Sequence, residues 1–144
     1  MLEHAELRVV HARAPGQSGP HLPRFDIRHH HLRADQPLPG GTDEGPKPTE
    51  LFVASLASCA AFYVGRFLSR RTEVDQRFAV ECDYRMSEGP PHRVADVELR
   101  ITLSEELPPD VAEAIVRSAE HCTVRNSILV PPDVRVSLRT PVAV

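Results

Sequence analysis

Much of what would place this chain quickly is scarce or missing. It has three cysteines in 144 residues, Cys59, Cys82 and Cys122. That is an odd, sparse set in a chain long enough to fold without covalent staples, so reduced thiols are the expectation. No Cys-X-X-Cys pair occurs, which removes the commonest zinc spacing. No glycine-rich stretch ends in lysine followed by Ser or Thr, so a phosphate-cradling loop is excluded. Lys and Arg are scattered along the chain and the net charge is −3, which leaves no basic stripe for a nucleic acid. No apolar run reaches the roughly 18 residues of a membrane span. The opening residues, MLEHAELRVVHAR, alternate and carry charges where a secretory signal would be apolar. Together these absences predict a soluble cytoplasmic protein with neither nucleic-acid nor membrane partners. No internal repeat appears, and the 14 prolines punctuate connecting segments.

What is present is enough for one sizeable core, since 41% of the residues are hydrophobic, and one compact domain over residues 1–144 is expected. Its organising stretch is Pro48 to Arg71, PTELFVASLASCAAFYVGRFLSRR, in which no charge occurs between Glu50 and Arg66. A helix there is apolar on nearly every face and must be covered by other elements. Pro48 suits its first turn, and Glu50 in that turn favours the helix dipole. Before it, Leu7, Val9 and His11 alternate with polar neighbours, as do Phe25, Ile27 and His29, predicting two paired strands. Ala34 to Lys47 has no periodicity and reads as a long loop.

After the helix, Phe78, Val80, Cys82, Tyr84 and Met86 face one way, and Ala95, Val97, Leu99, Ile101 and Leu103 do the same beyond a turn at Ser87 to His92. A second hairpin is predicted, with Cys82 as a packing residue. Pro108 and Pro109 open a second helix that places Val111, Ile115, Ser118, Ala119 and Cys122 on one face. Val134, Val136 and Leu138 predict a last strand. The order is strand, strand, helix, strand, strand, helix, strand, which predicts an α+β domain of antiparallel sheet packed on helices. One small sheet cannot cover the first helix, so a homodimer whose interface includes it is expected.

Cys59 and Cys122 thus lie on inward faces of two helices. Two such thiols permit a peroxide-reducing cycle: a thiolate attacks the O–O bond, and the resulting sulfenic acid condenses with the second thiol. The cycle needs no metal and no cofactor. It does need a cation near the attacking sulfur, because an unperturbed thiol is only slightly ionised at neutral pH, and arginine suits this best. Metal binding by His29, His30 and His31 is weakly supported, since adjacent residues of a strand point to opposite faces and only His29 and His31 could share an ion. His121 beside Cys122 is expected on the solvent side of the helix end.

The run HLRADQPLPGGTDEGPKPTELFVASLASCAAF resembles the signature of the osmotically inducible protein C (OsmC) and organic hydroperoxide resistance (Ohr) family, and AEHCTVRNSI resembles that family's second cysteine motif. The resemblance implies an intertwined, swapped homodimer with curved antiparallel sheets around two central helices, and a peroxidase site at the subunit interface. It makes Cys59 the peroxide-attacking and Cys122 the resolving cysteine. It further implies an arginine clamp, for which Arg24 is the candidate with Arg28 and Arg33 as rivals, and a glutamate that holds the clamp. Peroxidase branches place that glutamate directly after the helix-opening proline; here Thr49 stands there and Glu50 follows, about 100° further around the helix. The chain is closest to branches opening Pro-X-Glu-Leu. Glu50 and Cys59 are roughly 13 Å apart along one axis, so a site lined by both takes its glutamate from a partner chain.

Two functions follow. The first is a thiol peroxidase that reduces organic hydroperoxides with a thiol or dithiol reductant, Phe52, Leu56, Phe62 and Tyr63 receiving the apolar tail. The alternative, motivated by Thr49, is a protein of the same fold that binds an apolar or electrophilic small molecule.

Overall fold

The computed structural model describes residues 7–10, 24–71 and 77–138; the side chains of residues 7–10 and of Arg24 lie outside the description. Three strands form the first sheet: β1 (Leu7–Val10), β2 (Arg24–Ile27) and β3 (His30–Arg33). They pair antiparallel in the order β1-β2-β3, with Leu7 opposite Ile27 and Phe25 opposite Leu32. The first two strands match the alternation of the sequence. The third corrects it. The expected strand continued through His29, whereas the chain reverses at Arg28–His29, with Arg28 at φ 55°. His31 is thereby brought opposite Asp26 and bonds its carboxylate at 2.6 Å. The three histidines do not share a strand, and no metal-binding group of side chains occurs among the described residues.

Helix α1 (Pro48–Ser69) follows the predicted loop. A two-stranded sheet of β4 (Phe78–Met86) and β5 (Val94–Leu103) comes next, then helices α2 (Pro109–Glu120) and α3 (Thr123–Leu129). The fold is α+β, with two antiparallel sheets and three helices. The described face of β4 alternates as expected from Phe78 to Tyr84, but Ala95 on β5 is exposed. No strand forms at Val134 to Leu138, where Val136 is 96% and Leu138 89% exposed.

The chain divides into two compact units, Met1–Ser55 with Cys82–Glu98 and Leu56–Glu81 with Leu99–Val144. In the first, the loop of residues 34–47 is knotted around one carboxylate. Asp35, only 6% exposed, accepts from the amides of Gln36 (2.7 Å), Thr42 (3.0 Å) and Glu44 (2.9 Å) and from the Thr42 hydroxyl (2.9 Å). Gly41 is required beside it, because a Cβ there would collide with Asp35 Oδ1 and the Gln36 carbonyl.

In the second unit, Val64 and Leu68 of α1 pack on Val111 and Ile115 of α2, with Phe78, Ile101 and Leu103 against them. Helix α1 buries a stripe of Leu56, Ala60, Val64 and Leu68 here, one residue every fourth position. Its other faces are open: Phe62 is 65% exposed. By length and composition α1 would also pass as a membrane span, because a single arginine near its end interrupts an otherwise apolar run. One stripe of it packs on α2.

Ile115 is 2% exposed, and Ile115→Ala is expected to cost about 2–5 kcal/mol in chemical denaturation. Asp35 has its pKa lowered from 3.8 to about 2, the Glu44 amide being the largest cause, with burial opposing and the Gln36 and Thr42 donors assisting. A depressed carboxylate stabilises the fold above its unfolded value and loses that contribution as pH falls through the folded one. Asp35→Asn, which turns an NH2 toward donors, is therefore expected to melt several degrees below wild type at pH 7, a gap that narrows between pH of about 4 and about 2.

Candidate active site

The second unit brings Cys59 and Cys122 together. Cys59 stands half-buried on α1, beside the buried stripe and one residue before Ala60. Cys122 is fully buried at the corner where α2 ends and α3 begins. The inward face of α2 ends with Ala119; two residues later the chain leaves helical geometry, and Cys122 at φ −55°, ψ 122° becomes the N-cap of α3. Its sulfur accepts from the Arg125 amide at 3.3 Å, and its thiol points to the Leu56 carbonyl at 3.9 Å. Leu56 precedes Cys59 by three residues, so the same corner that reaches Leu56 lies over Cys59.

The two cysteines influence each other and shift in opposite directions. Burial pushes the Cys59 thiol up, but the Cys122 thiol and the amides of Val124 and Thr123 outweigh it and hold Cys59 below the ordinary thiol range. Burial pushes Cys122 up, and so do its bond to Cys59 and the charge there; the Arg125 and Val124 amides offset only part. Cys59 is therefore the more acidic of the two, and Cys122 is the one that keeps its proton. Cys82, on β4, is raised by burial and by Asp83. All three cysteines are free.

Around this pair, the Tyr63 hydroxyl meets Thr123 Oγ1 at 3.3 Å, and Ser118 on α2 donates to the Tyr63 carbonyl at 3.0 Å. Phe62 and Tyr63 meet edge to face at 5.9 Å. Of the other predicted wall residues, Leu56 is buried and Phe52 is 42% exposed. Glu50, in the first unit, is engaged at the helix opening. One oxygen accepts the Lys47 amide at 2.8 Å and the other pairs with the Lys47 ammonium at 3.4 Å. Lys47 is in turn held in its charged form by Tyr84 first and Glu50 second. Among the arginines, Arg28 is exposed in the turn before β3, and Arg33 bonds Glu44 at 2.8 Å. The Arg24 main chain pairs with Arg33 in the sheet, but its side chain lies outside the described residues. His121 is exposed, as expected.

Sequence reasoning missed the donors that act on Cys59, the amides of Thr123 and Val124. They belong to a helix of seven residues, too short for a periodic signal; the residues Thr-Val directly after the cysteine were the only available sign. It also missed the Tyr63–Thr123 bond, treating Tyr63 as apolar wall alone.

A family model for OsmC-like protein matches residues 41–137, a span that contains α1, the second sheet, both cysteines and α3. No curated protein matches the chain in sequence. Among solved structures it is similar to an OsmC like protein from Mycoplasma pneumoniae, with TM-score 0.72 and 13% identity over 90% of this chain and 89% of that one. It is similar also to an organic hydroperoxide resistance protein OsmC from Legionella pneumophila, with TM-score 0.64 and 19% identity over 89% and 90%. A third is the organic hydroperoxide resistance protein OhrB of Bacillus subtilis, with TM-score 0.58 and 15% identity over 88% and 91%. With the paired cysteines and the element order already in place, the family match leaves one assignment: the chain belongs to the OsmC-like protein family.

Proposed function

We propose that the protein is a thiol peroxidase that reduces organic hydroperoxides, with Cys59 attacking and Cys122 resolving. The observation that carries this is the arrival of Cys122, at the α2–α3 corner, on the Leu56 carbonyl of α1, three residues before Cys59, with Cys59 the more acidic of the two thiols. Family membership and relatives named for hydroperoxide resistance support it.

In the first step the Cys59 thiolate attacks the outer oxygen of ROOH. The S–O bond forms as the O–O bond breaks, and the alkoxide leaves as ROH after taking one proton from solvent. The Cys59 sulfenic acid then condenses with the Cys122 thiol, expelling water and leaving a disulfide. A dithiol reductant returns both thiols by exchange and is itself oxidised to a disulfide. Cys122, whose pKa is raised, enters the cycle protonated.

Arg24, nominated by the family resemblance, supplies the cation in this proposal, and Glu50 of a second copy the carboxylate that steadies it. Of its rivals, Arg33 bonds Glu44 and Arg28 sits in a turn with positive φ. The protein acts as a single-domain chain in a homodimer, in the cytoplasm. A second copy covers the exposed apolar residues of α1 and of the 134–138 segment, and Phe52, Leu56, Phe62 and Tyr63 wall the tail of the hydroperoxide.

Purified protein is expected to turn over cumene hydroperoxide with dithiothreitol, and Cys59→Ser to abolish turnover. Cys122→Ser should stop at a Cys59 sulfenic acid that dimedone traps, and Arg24→Ala should lower kcat/KM by about 10²-fold or more. One equivalent of peroxide should form a Cys59–Cys122 disulfide, seen as the loss of two hydrogens by mass spectrometry. An unchanged mass with no turnover overturns the proposal and favours a binder of apolar or electrophilic molecules.

A further inference from the structure

Among the described residues α3 has little to hold it. It spans seven residues, none of them buried, and Ile128 and Leu129 are 42% and 61% exposed. Its outward ties, Tyr63 to Thr123 and Arg125 to the Glu120 carbonyl, are open to solvent. So short a helix is marginal without packing or a cap. Helix α2 makes the contrast: its N-terminus has no side-chain cap, and buried Val111 and Ile115 secure it instead. At α3 the cap is present, and it is a thiol. The Cys122 sulfur accepts from the Arg125 amide at 3.3 Å, while its S–H points to the Leu56 carbonyl of α1 at 3.9 Å. Sulfur is a weak acceptor, and a serine at this position would cap better. A fully buried cysteine in the cap position is explained by what only sulfur can do there, which is to change partners on oxidation.

We propose that Cys122 is a redox-released helix cap: its sulfur holds the first turn of α3 in the reduced protein and lets it go when the Cys59–Cys122 disulfide forms. The inference rests on the disulfide-forming cycle assigned to these two cysteines. Condensation of the Cys59 sulfenic acid with Cys122 makes one S–S bond, breaks the S–OH and S–H bonds, and releases water. The Leu56 carbonyl thereby loses its donor. The sulfur, now bonded to a residue of α1, is drawn from the first turn of α3, and the Arg125 amide is left to water like any uncapped helix donor. The release has a use. Cys122 is 0% exposed in the reduced protein, and thiol exchange depends on access to the disulfide. A loosened α3 uncovers the pair in the oxidised state alone. The dithiol reductant then passes two electrons and two protons to it and leaves as a disulfide; thiol, cap and cover return together.

Hydrogen exchange with mass spectrometry, in a Cys82→Ser background, reads both states. Disulfide formation by one equivalent of cumene hydroperoxide, checked by the loss of two hydrogens, should speed exchange at the amides of residues 124–126 by about threefold to tenfold and leave α2 unchanged. Cys122→Ala, which has no cap, should show the fast exchange without oxidant. Cys122→Ser, capped by oxygen, should stay protected and give no response to peroxide. A confirmed disulfide with unchanged exchange in α3 overturns the proposal and leaves the peroxidase assignment standing; equal loosening of α2 also overturns it. If Cys122→Ala does not fold, the comparison of oxidised with reduced protein decides alone. Where peroxide leaves the mass unchanged, diamide, which itself takes up the two hydrogens, makes the disulfide. Faster exchange in α3 then sinks the peroxidase assignment and leaves the cap standing, and no disulfide with either oxidant overturns both.

Discussion

Packing of α1 on α2 is the contact from which the site follows. Val64 and Leu68 meet Val111 and Ile115, and that single apolar seam fixes the rotation of both helices about their axes. Once the stripe of Leu56, Ala60, Val64 and Leu68 is inward, Cys59 and Tyr63 must fall on its flank, because neighbours on a helix are 100° apart. A flank position is half-buried, which a nucleophile needs: covered enough for its charge to matter, open enough for a substrate to arrive. On the other helix the same seam ends at Ala119, and the next turn delivers Cys122 to Leu56. Ala60, 1% exposed, keeps the helix surface low at this level, so the corner can come close to α1.

The three cysteines carry one chemical group into three environments. Desolvation opposes ionisation at every one of them and is the largest influence at each. Cys82 has only that and a neighbouring carboxylate, and stays a thiol. Cys59 escapes because donors converge on it from a different helix. Cys122 is one of those donors, so the ionisation of one sulfur raises the proton affinity of the other. The pair therefore divides its roles before any substrate is present, and the division comes from hydrogen bonds without a cation among the described groups.

Elements whose pattern is long and local were legible in the sequence. The helix from Pro48, the alternation from Phe78 to Tyr84 and the face of α2 through Val111 and Ile115 repeat over enough residues to average out exceptions. Those periods predicted both cysteines on inward helix faces, but Cys59 lies half-buried on the flank of the α1 stripe and Cys122 beyond the end of α2, at the N-cap of α3; the resemblance of two motifs suggested their chemical roles. What escaped was short or relational. The turn at Arg28–His29 interrupts a run that alternates well on either side. Helix α3 has too few residues for a period, and its cap is a cysteine, a residue outside the usual capping set. Val134, Val136 and Leu138 carry a strand pattern, but a strand also needs an edge to pair with, and no pattern within a segment says whether an edge is available.

That same segment carries apolar surface that the described residues leave uncovered. Val134, Val136 and Leu138 are 80%, 96% and 89% exposed, and Phe62 is 65% exposed; each such side chain forgoes roughly 1.5–3 kcal/mol of burial. Both groups belong to the same compact unit as the thiols, yet they cannot be covered alike. Residues 134–138 bear alternating apolar side chains, so strand pairing there would satisfy main chain and side chains at once. Phe62 lies three residues from Cys59 on α1, and sealing it completely would close the approach to the sulfur. Covering residues 134–138 while part of Phe62 stays open keeps exposed aromatic surface three residues from Cys59 on α1.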